Sequence, residues 1–123
     1  MGTIERFENI EAWKKARILT NMVYEVSGTG AFSKDFGLRD QIRRASVSVM
    51  SNIAEGYERD GKKEFIHFLK IAKGSVGEVR SQCYIAFDRQ YMSSETFEGL
   101  IQKTTEISKL IAGFIKYLKS VAS

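Results

Sequence analysis

Three basic residues are spaced so that a helix would present them on one side. Lys70, Lys73 and Arg80 are three and seven residues apart, and a helix turns by about 100° per residue. Gly74 and Gly77 lie between them, although glycine inside a helix costs about 1 kcal/mol relative to alanine. The glycines have two explanations: close packing of another helix, which we favour, or a flat basic face that a phosphate backbone can approach. The three basic residues are the predicted nucleic-acid-binding residues.

A polar stripe follows the segment between residues 41 and 59. It consists of Gln41, Ser48, Asn52, Glu55 and Arg59, whose spacing of seven, four, three and four residues makes them neighbours on a helix. One interpretation is a binding pocket for a ligand or for the main chain of a partner, anchored by Asn52 and Glu55. The other, which we favour, is a hydrogen-bonded network that fixes helix register or subunit geometry, because buried polar groups must be paired.

The sequence contains no recognisable catalytic apparatus. His67 is the single histidine and Cys83 the single cysteine, so neither a transition-metal site nor a cysteine–histidine pair is indicated. Phosphate-binding and dinucleotide-binding glycine motifs are also missing. Three tyrosines that could stack on bases are better explained as partly buried core residues: Tyr84, Tyr91 and Tyr117. We therefore predict a protein that is not an enzyme and uses neither a metal nor a cofactor.

The elements that would position these residues are four amphipathic helices in one domain covering residues 1–123. Proline is absent, and short breaks rich in glycine or serine separate the periodic segments. The predicted helices cover residues 10–26, 36–57, 62–89 and 94–121, with Asn9 and the serine pair at 93–94 as expected caps. Short connections make successive helices antiparallel, so the predicted fold is an all-α, up-down four-helix bundle.

The second helix has apolar residues on two sides. One side, with Leu38, Ile42 and Val49, suits the core. The other side contains four further apolar residues, namely Val47, Met50, Ala54 and Tyr57. Because a small bundle covers only one side of each helix, the second side needs a partner. These four residues are the predicted oligomer interface.

The composition limits the kinds of protein that this chain can be. The 123 residues are 43% hydrophobic and 28% charged, as in globular proteins, and a single cysteine excludes an intrachain disulfide. No apolar run is long enough to span a membrane, so we expect a cytoplasmic protein. The net charge is +4, and the excess lies after residue 60. That excess is compatible with a polyanionic partner but modest for a dedicated DNA-binding protein.

Several motifs resemble those of one bacterial family. QIRRA at 41–45 and SVMSNIAEGY at 48–57 are the most specific, supported by FENIEAW at 7–13, the pairs at 64–65 and 68–69, and AKGS at 72–75 with Glu78. This combination resembles the 23S rRNA intervening-sequence proteins, also called four-helix bundle proteins. The polar candidate residues that fall in the motif are Arg44 and four members of the polar stripe, namely Gln41, Ser48, Asn52 and Glu55. Met50 departs from the pattern, since the family usually has proline in this stretch, and a helix kink there would be weaker.

The resemblance implies homopentameric rings of four-helix bundles, which would cover the second apolar side of helix two. The accessory proteins of diversity-generating retroelements, which bind a reverse transcriptase and nucleic acid, are similar as well. The family name records gene position and does not establish rRNA binding.

These observations predict a homo-oligomeric, non-catalytic adaptor that binds RNA or DNA through a basic surface and can accompany a partner enzyme. The alternative is a protein-interaction scaffold whose basic excess is only a solvated surface.

Overall fold

Four long helices account for most of the chain. The computed structural model describes residues 4–121, and within that range it contains helices and no strand. The helices are α1 (Glu11–Ser27), α2 (Phe36–Glu58), α3 (Lys62–Asp88) and α4 (Ser94–Ser120), with short 3-10 helices at Phe7–Asn9 and Gly30–Lys34. The observed ends agree with the expected ones to within one residue.

The helices pack as a closed four-membered bundle. α1 contacts α2 and α4, and α3 contacts the same two helices on the opposite side. Three residues connect α2 to α3 and five connect α3 to α4, so these neighbours must reverse direction. The all-α, four-helix architecture predicted from the sequence is therefore confirmed.

Helix starts are fixed by side chains in two of the four cases. Asp35 accepts a hydrogen bond from Leu38 N at 3.1 Å and a second from the Tyr91 hydroxyl at 2.9 Å. These two bonds, with that of Leu38 the larger cause, lower the pKa of Asp35. Ser93 accepts from Thr96 N at the start of α4, as expected. The expected Asn9 cap of α1 was wrong, because the buried Ile10 occupies that position without a side-chain cap.

Helical spacing predicts Phe68 among the core residues of α3 and Phe114 among those of α4, and the structure differs at both positions. On α3, Leu69 is fully buried, whereas Phe68 is only partly buried under the guanidinium of Arg59. On α4, Ile115 joins the core and Phe114 lies at its edge against Phe65. Both differences move the buried position by one residue, which changes its direction by about 100°.

α2 and α3 approach closely at Gly56. A Cβ built on this glycine would lie 2.7 Å from Phe68 Cβ and 3.3 Å from the Phe65 carbonyl oxygen. No larger side chain fits without a shift of one helix. The contact holds the start of α3, and with it the basic residues that follow, at a fixed distance from α2.

Candidate nucleic-acid interface

The three predicted basic residues lie on the outer side of α3. Lys70, Lys73 and Arg80 are all exposed, while Leu69, Ala72, Val76 and Val79 of the same helix are buried. Lys70 and Arg80 are ten positions apart, which corresponds to about 15 Å of helix. We call these three residues the α3 basic row.

No ion pair neutralises the α3 basic row within residues 4–121. The salt bridges of that range involve other cations, for example Arg39 with Asp40 and Lys103 with Glu106. Three positive charges that no described carboxylate pairs make an attractive surface for a polyanion.

Gly74 and Gly77 are open towards solvent. A Cβ built on either glycine has no heavy atom within 4 Å. Neither glycine is therefore needed for packing inside the chain, in contrast to Gly56. The two explanations given by the sequence, an external helix or a phosphate backbone, both require a partner outside this chain.

A pocket at one end of the bundle extends the basic surface. It lies where the α2–α3 turn meets the end of α4, has a volume of about 1100 Å³, and includes Lys70 in its wall. Its other basic residues are Arg59, Lys62, Lys63, His67 and Lys119, and none of the described residues in its wall is acidic. We call this the end pocket.

Sequence reasoning missed the end pocket because its residues come from three helices. Lys63 and Lys119 are 56 positions apart, and helical periodicity relates only residues on one helix. The adjacent lysines at 62 and 63, next to a turn, were the available signal.

The polar stripe on α2 is partly a hydrogen-bonded network. Ser48 Oγ and Ser75 Oγ are 2.9 Å apart, and Asn52 Nδ2 donates to both Ser48 O and Ser48 Oγ at 2.9 Å. Glu55 accepts from Arg59 at 2.9 Å. A hydrogen-bonded network, the interpretation favoured from the sequence, therefore describes the half of the stripe nearer the end pocket. There, Ser48, Asn52 and Glu55 bond to one another, to Arg59 or to α3.

The other half of the stripe faces a groove. Gln41 and Arg44 line it from α2, and Glu78 and Gln82 line it from α3. Gln82 Oε1 is buried and has no hydrogen-bond partner among the described residues.

The predicted oligomer interface divides into two parts. Val47 is 40% exposed and Ala54 is partly exposed. Met50 and Tyr57 instead pack against the core, and the Tyr57 hydroxyl donates to the carbonyl oxygen of Ile4. The chain's own N-terminal segment thus contacts one side of α2 that the sequence left for a partner.

The remaining reactive groups do not form a catalytic site in the described part of the chain. Cys83 is fully buried, and burial raises the pKa of its thiol to about 12, so it stays protonated at neutral pH. His67 is exposed and its ring packs edge-on against Phe68. No group of three potential metal ligands occurs among residues 4–121.

The three tyrosines differ in their surroundings. The Tyr91 ring stacks on Phe32 at 5.1 Å, and its hydroxyl caps α2, so its role is structural. Tyr84 and Tyr117 are about half exposed, and each contacts a phenylalanine at the edge of the core.

The class defined by these features is an all-α, four-helix protein with an unneutralised basic surface. No described helix is long and apolar enough to cross a membrane. The family model named 23S rRNA-intervening sequence protein matches residues 8–113. The chain therefore belongs to that family, which confirms the resemblance found in its motifs.

A solved relative has the same fold. The crystal structure of a protein of unknown function from the S23 ribosomal protein family of Bacteroides thetaiotaomicron superposes with a TM-score of 0.78 at 25% sequence identity. The match covers 85% of this chain and 95% of that one. No curated protein matches this chain.

Proposed function

We propose that this protein is a cytoplasmic, homo-oligomeric adaptor that binds RNA or DNA and performs no chemistry of its own. The observation that carries the proposal is the α3 basic row, three exposed cations without an ion pair within residues 4–121. Membership of a family named after an rRNA insertion is compatible with this function and does not establish it.

The open surface beside Gly74 and Gly77 is compatible with a phosphate backbone as the ligand. Gly74 and Gly77 lack side chains that would hold a strand away from the helix. Each lysine or arginine that neutralises a phosphate releases condensed counterions, which supplies most of the affinity of sequence-independent binding. Backbone contacts position a nucleic acid without reading its sequence. The adaptor would therefore bind unrelated sequences with similar affinity.

Assembly would multiply this weak surface. Val47 and Ala54 present apolar area on α2, and we propose that a second copy covers it in a closed ring, most simply a pentamer as the family resemblance implies. Several basic rows held in one assembly bind one polyanion with a higher effective concentration than separate chains.

The test compares two triple variants of equal charge change. Alanine replaces Lys70, Lys73 and Arg80 in one variant, and the exposed Lys14, Lys34 and Lys109 in the control. We expect the first variant to lose affinity for mixed single-stranded RNA and duplex DNA by at least tenfold at about 50 mM salt, with the control near wild type. Equal losses in both variants would mean that only net charge matters.

One observation favours a protein-interaction scaffold as the second candidate. The groove lined by Gln41, Arg44, Glu78 and Gln82 offers polar side chains of both charges, which suit the donors and acceptors of a protein main chain. If the wild-type protein binds no nucleic acid at about 50 mM salt, this function becomes the better account.

A further inference from the structure

The end pocket combines positive charge with an apolar wall. Lys63, Lys70 and Lys119 project into it without an ion pair among the described residues, whereas Arg59 is already paired with Glu55 and Glu64. Ile66, Leu118 and Val121 supply apolar surface between the charges. This combination suits a ligand with an anionic group and an apolar or aromatic body.

The size of the end pocket fits a nucleotide unit. Its volume of about 1100 Å³ is slightly larger than that of ordinary ligand pockets, about 300–1,000 Å³, so a nucleotide unit has ample room. Lys63 and Lys70 are seven residues apart on one helix, which corresponds to about 10 Å. The first turn of α3 also opens on this pocket through Lys62 and Lys63, and the helix dipole favours negative charge there.

Lys70 belongs to both surfaces. It lines the end pocket and also begins the α3 basic row, which continues to Lys73 and Arg80 on the same helix. A strand lying along the row would therefore reach the end pocket at one extremity. A strand that ends there would place its terminal nucleotide against a pocket wall formed by residues of three helices.

We propose that the end pocket binds the phosphorylated end of a single nucleic-acid strand, with the rest of the strand along the α3 basic row; this inference rests on the proposed function. A terminal phosphate monoester carries about two negative charges at neutral pH, against one for an internal phosphodiester. Three lysines without acidic neighbours in the pocket wall favour the more highly charged group. The apolar wall then receives the terminal sugar and base.

The experiment compares one RNA with different ends. A mixed-sequence single strand of about 12 nucleotides, within the usual site size of single-strand binders, carries a 5′-phosphate, a 3′-phosphate or no terminal phosphate. Affinities are measured near physiological salt by fluorescence anisotropy, with the label on the other end. We expect one phosphorylated form to bind about tenfold more tightly than the unphosphorylated strand, as for an added charge-assisted contact.

Two double variants test whether the end pocket causes the preference for a phosphorylated end. Lys63→Ala with Lys119→Ala should lower the ratio of affinities for the phosphorylated and unphosphorylated strands from about tenfold to about one, whatever the loss of overall affinity. Lys14→Ala with Lys34→Ala, the matched control, should retain the preference. Circular dichroism confirms that both variants keep their helical content.

The outcomes separate this inference from the proposed function. Equal binding of the three strands would overturn the inference alone, because binding along the α3 basic row would persist. A preference that survives Lys63→Ala with Lys119→Ala would likewise overturn it. If none of the strands binds even when the salt is lowered to about 50 mM, the inference and the proposed function fail together.

Discussion

The outer surfaces of α2 and α3 differ in how far their polar groups are satisfied within the chain. On α2, Asn52 bonds to Ser48 and Glu55 bonds to Arg59. On α3, Lys70 and Lys73 make no ion pair with any described residue, and Gly74 beside them touches nothing. Polar side chains that are bonded to their own chain stabilise the bundle, whereas free cations beside open glycines are available to a partner.

The largest expected effect concerns assembly through α2. Glutamate at both Val47 and Ala54 would place two charges in a desolvated contact, so the oligomer should dissociate into smaller species with unchanged helical content. Light scattering measures the mass. Glutamate at the exposed Gln102 and Ala112 of α4 adds the same charge and should leave the mass unchanged. A wild-type monomer at micromolar concentration would refute the assembly.

The second largest effect is steric. It distinguishes Gly56, which lies against α3, from Gly74 and Gly77, which are open towards solvent. Gly56→Ala should lower the free energy of unfolding by about 1–3 kcal/mol, because the new methyl group overlaps Phe68 and forces the helices apart. Denaturant titration measures the change. A variant as stable as the wild type would show that α2 and α3 are not in close contact at this point.

A smaller effect tests the network on α2. Asn52→Ala removes two hydrogen bonds to Ser48 and should cost about 0.5–1.5 kcal/mol of unfolding free energy. Gln41→Ala, in the same stripe but without a hydrogen bond among the described residues, is the control and should cost less than about 0.5 kcal/mol. Neither should change nucleic-acid affinity. Equal costs would mean that the observed bonds do not distinguish the two halves of the stripe.

The smallest effect has the opposite sign. Gly74→Ala should stabilise the isolated chain by about 0.5–1 kcal/mol, because alanine is the better helix former and its methyl group meets no atom. The same variant should weaken binding of the partner that approaches this glycine. Destabilisation by Gly74→Ala in thermal unfolding of the oligomer would indicate that a second copy packs there.

Local patterns predicted most of the fold. The spacing of Leu38, Ile42 and Val49 identified the buried side of α2, because one side of an amphipathic helix repeats every three or four residues. Periodicity could not show that Tyr57 would bond to Ile4, 53 positions away. It equally could not choose between Phe68 and Leu69, neighbours of similar hydrophobicity, for the fully buried position.

The candidate site was predicted only in part, because periodicity relates only residues that share one helix. Lys70, Lys73 and Arg80 share one helix, so their common side followed from spacing alone. The end pocket depends on how α4 ends beside the α2–α3 turn, which is a tertiary arrangement. Lys119 could be placed beside Lys63 only once the helices were assembled.

The most direct test of the central claim is the salt dependence of nucleic-acid binding. The slope of the logarithm of the association constant against the logarithm of salt concentration counts the phosphates that the protein neutralises. Removing Lys70, Lys73 and Arg80 should flatten that slope by about two to three units per subunit engaged, while the Lys14, Lys34 and Lys109 control keeps the wild-type slope. An unchanged slope in the first variant, with oligomeric state unaltered, would show that the α3 basic row is not the nucleic-acid surface.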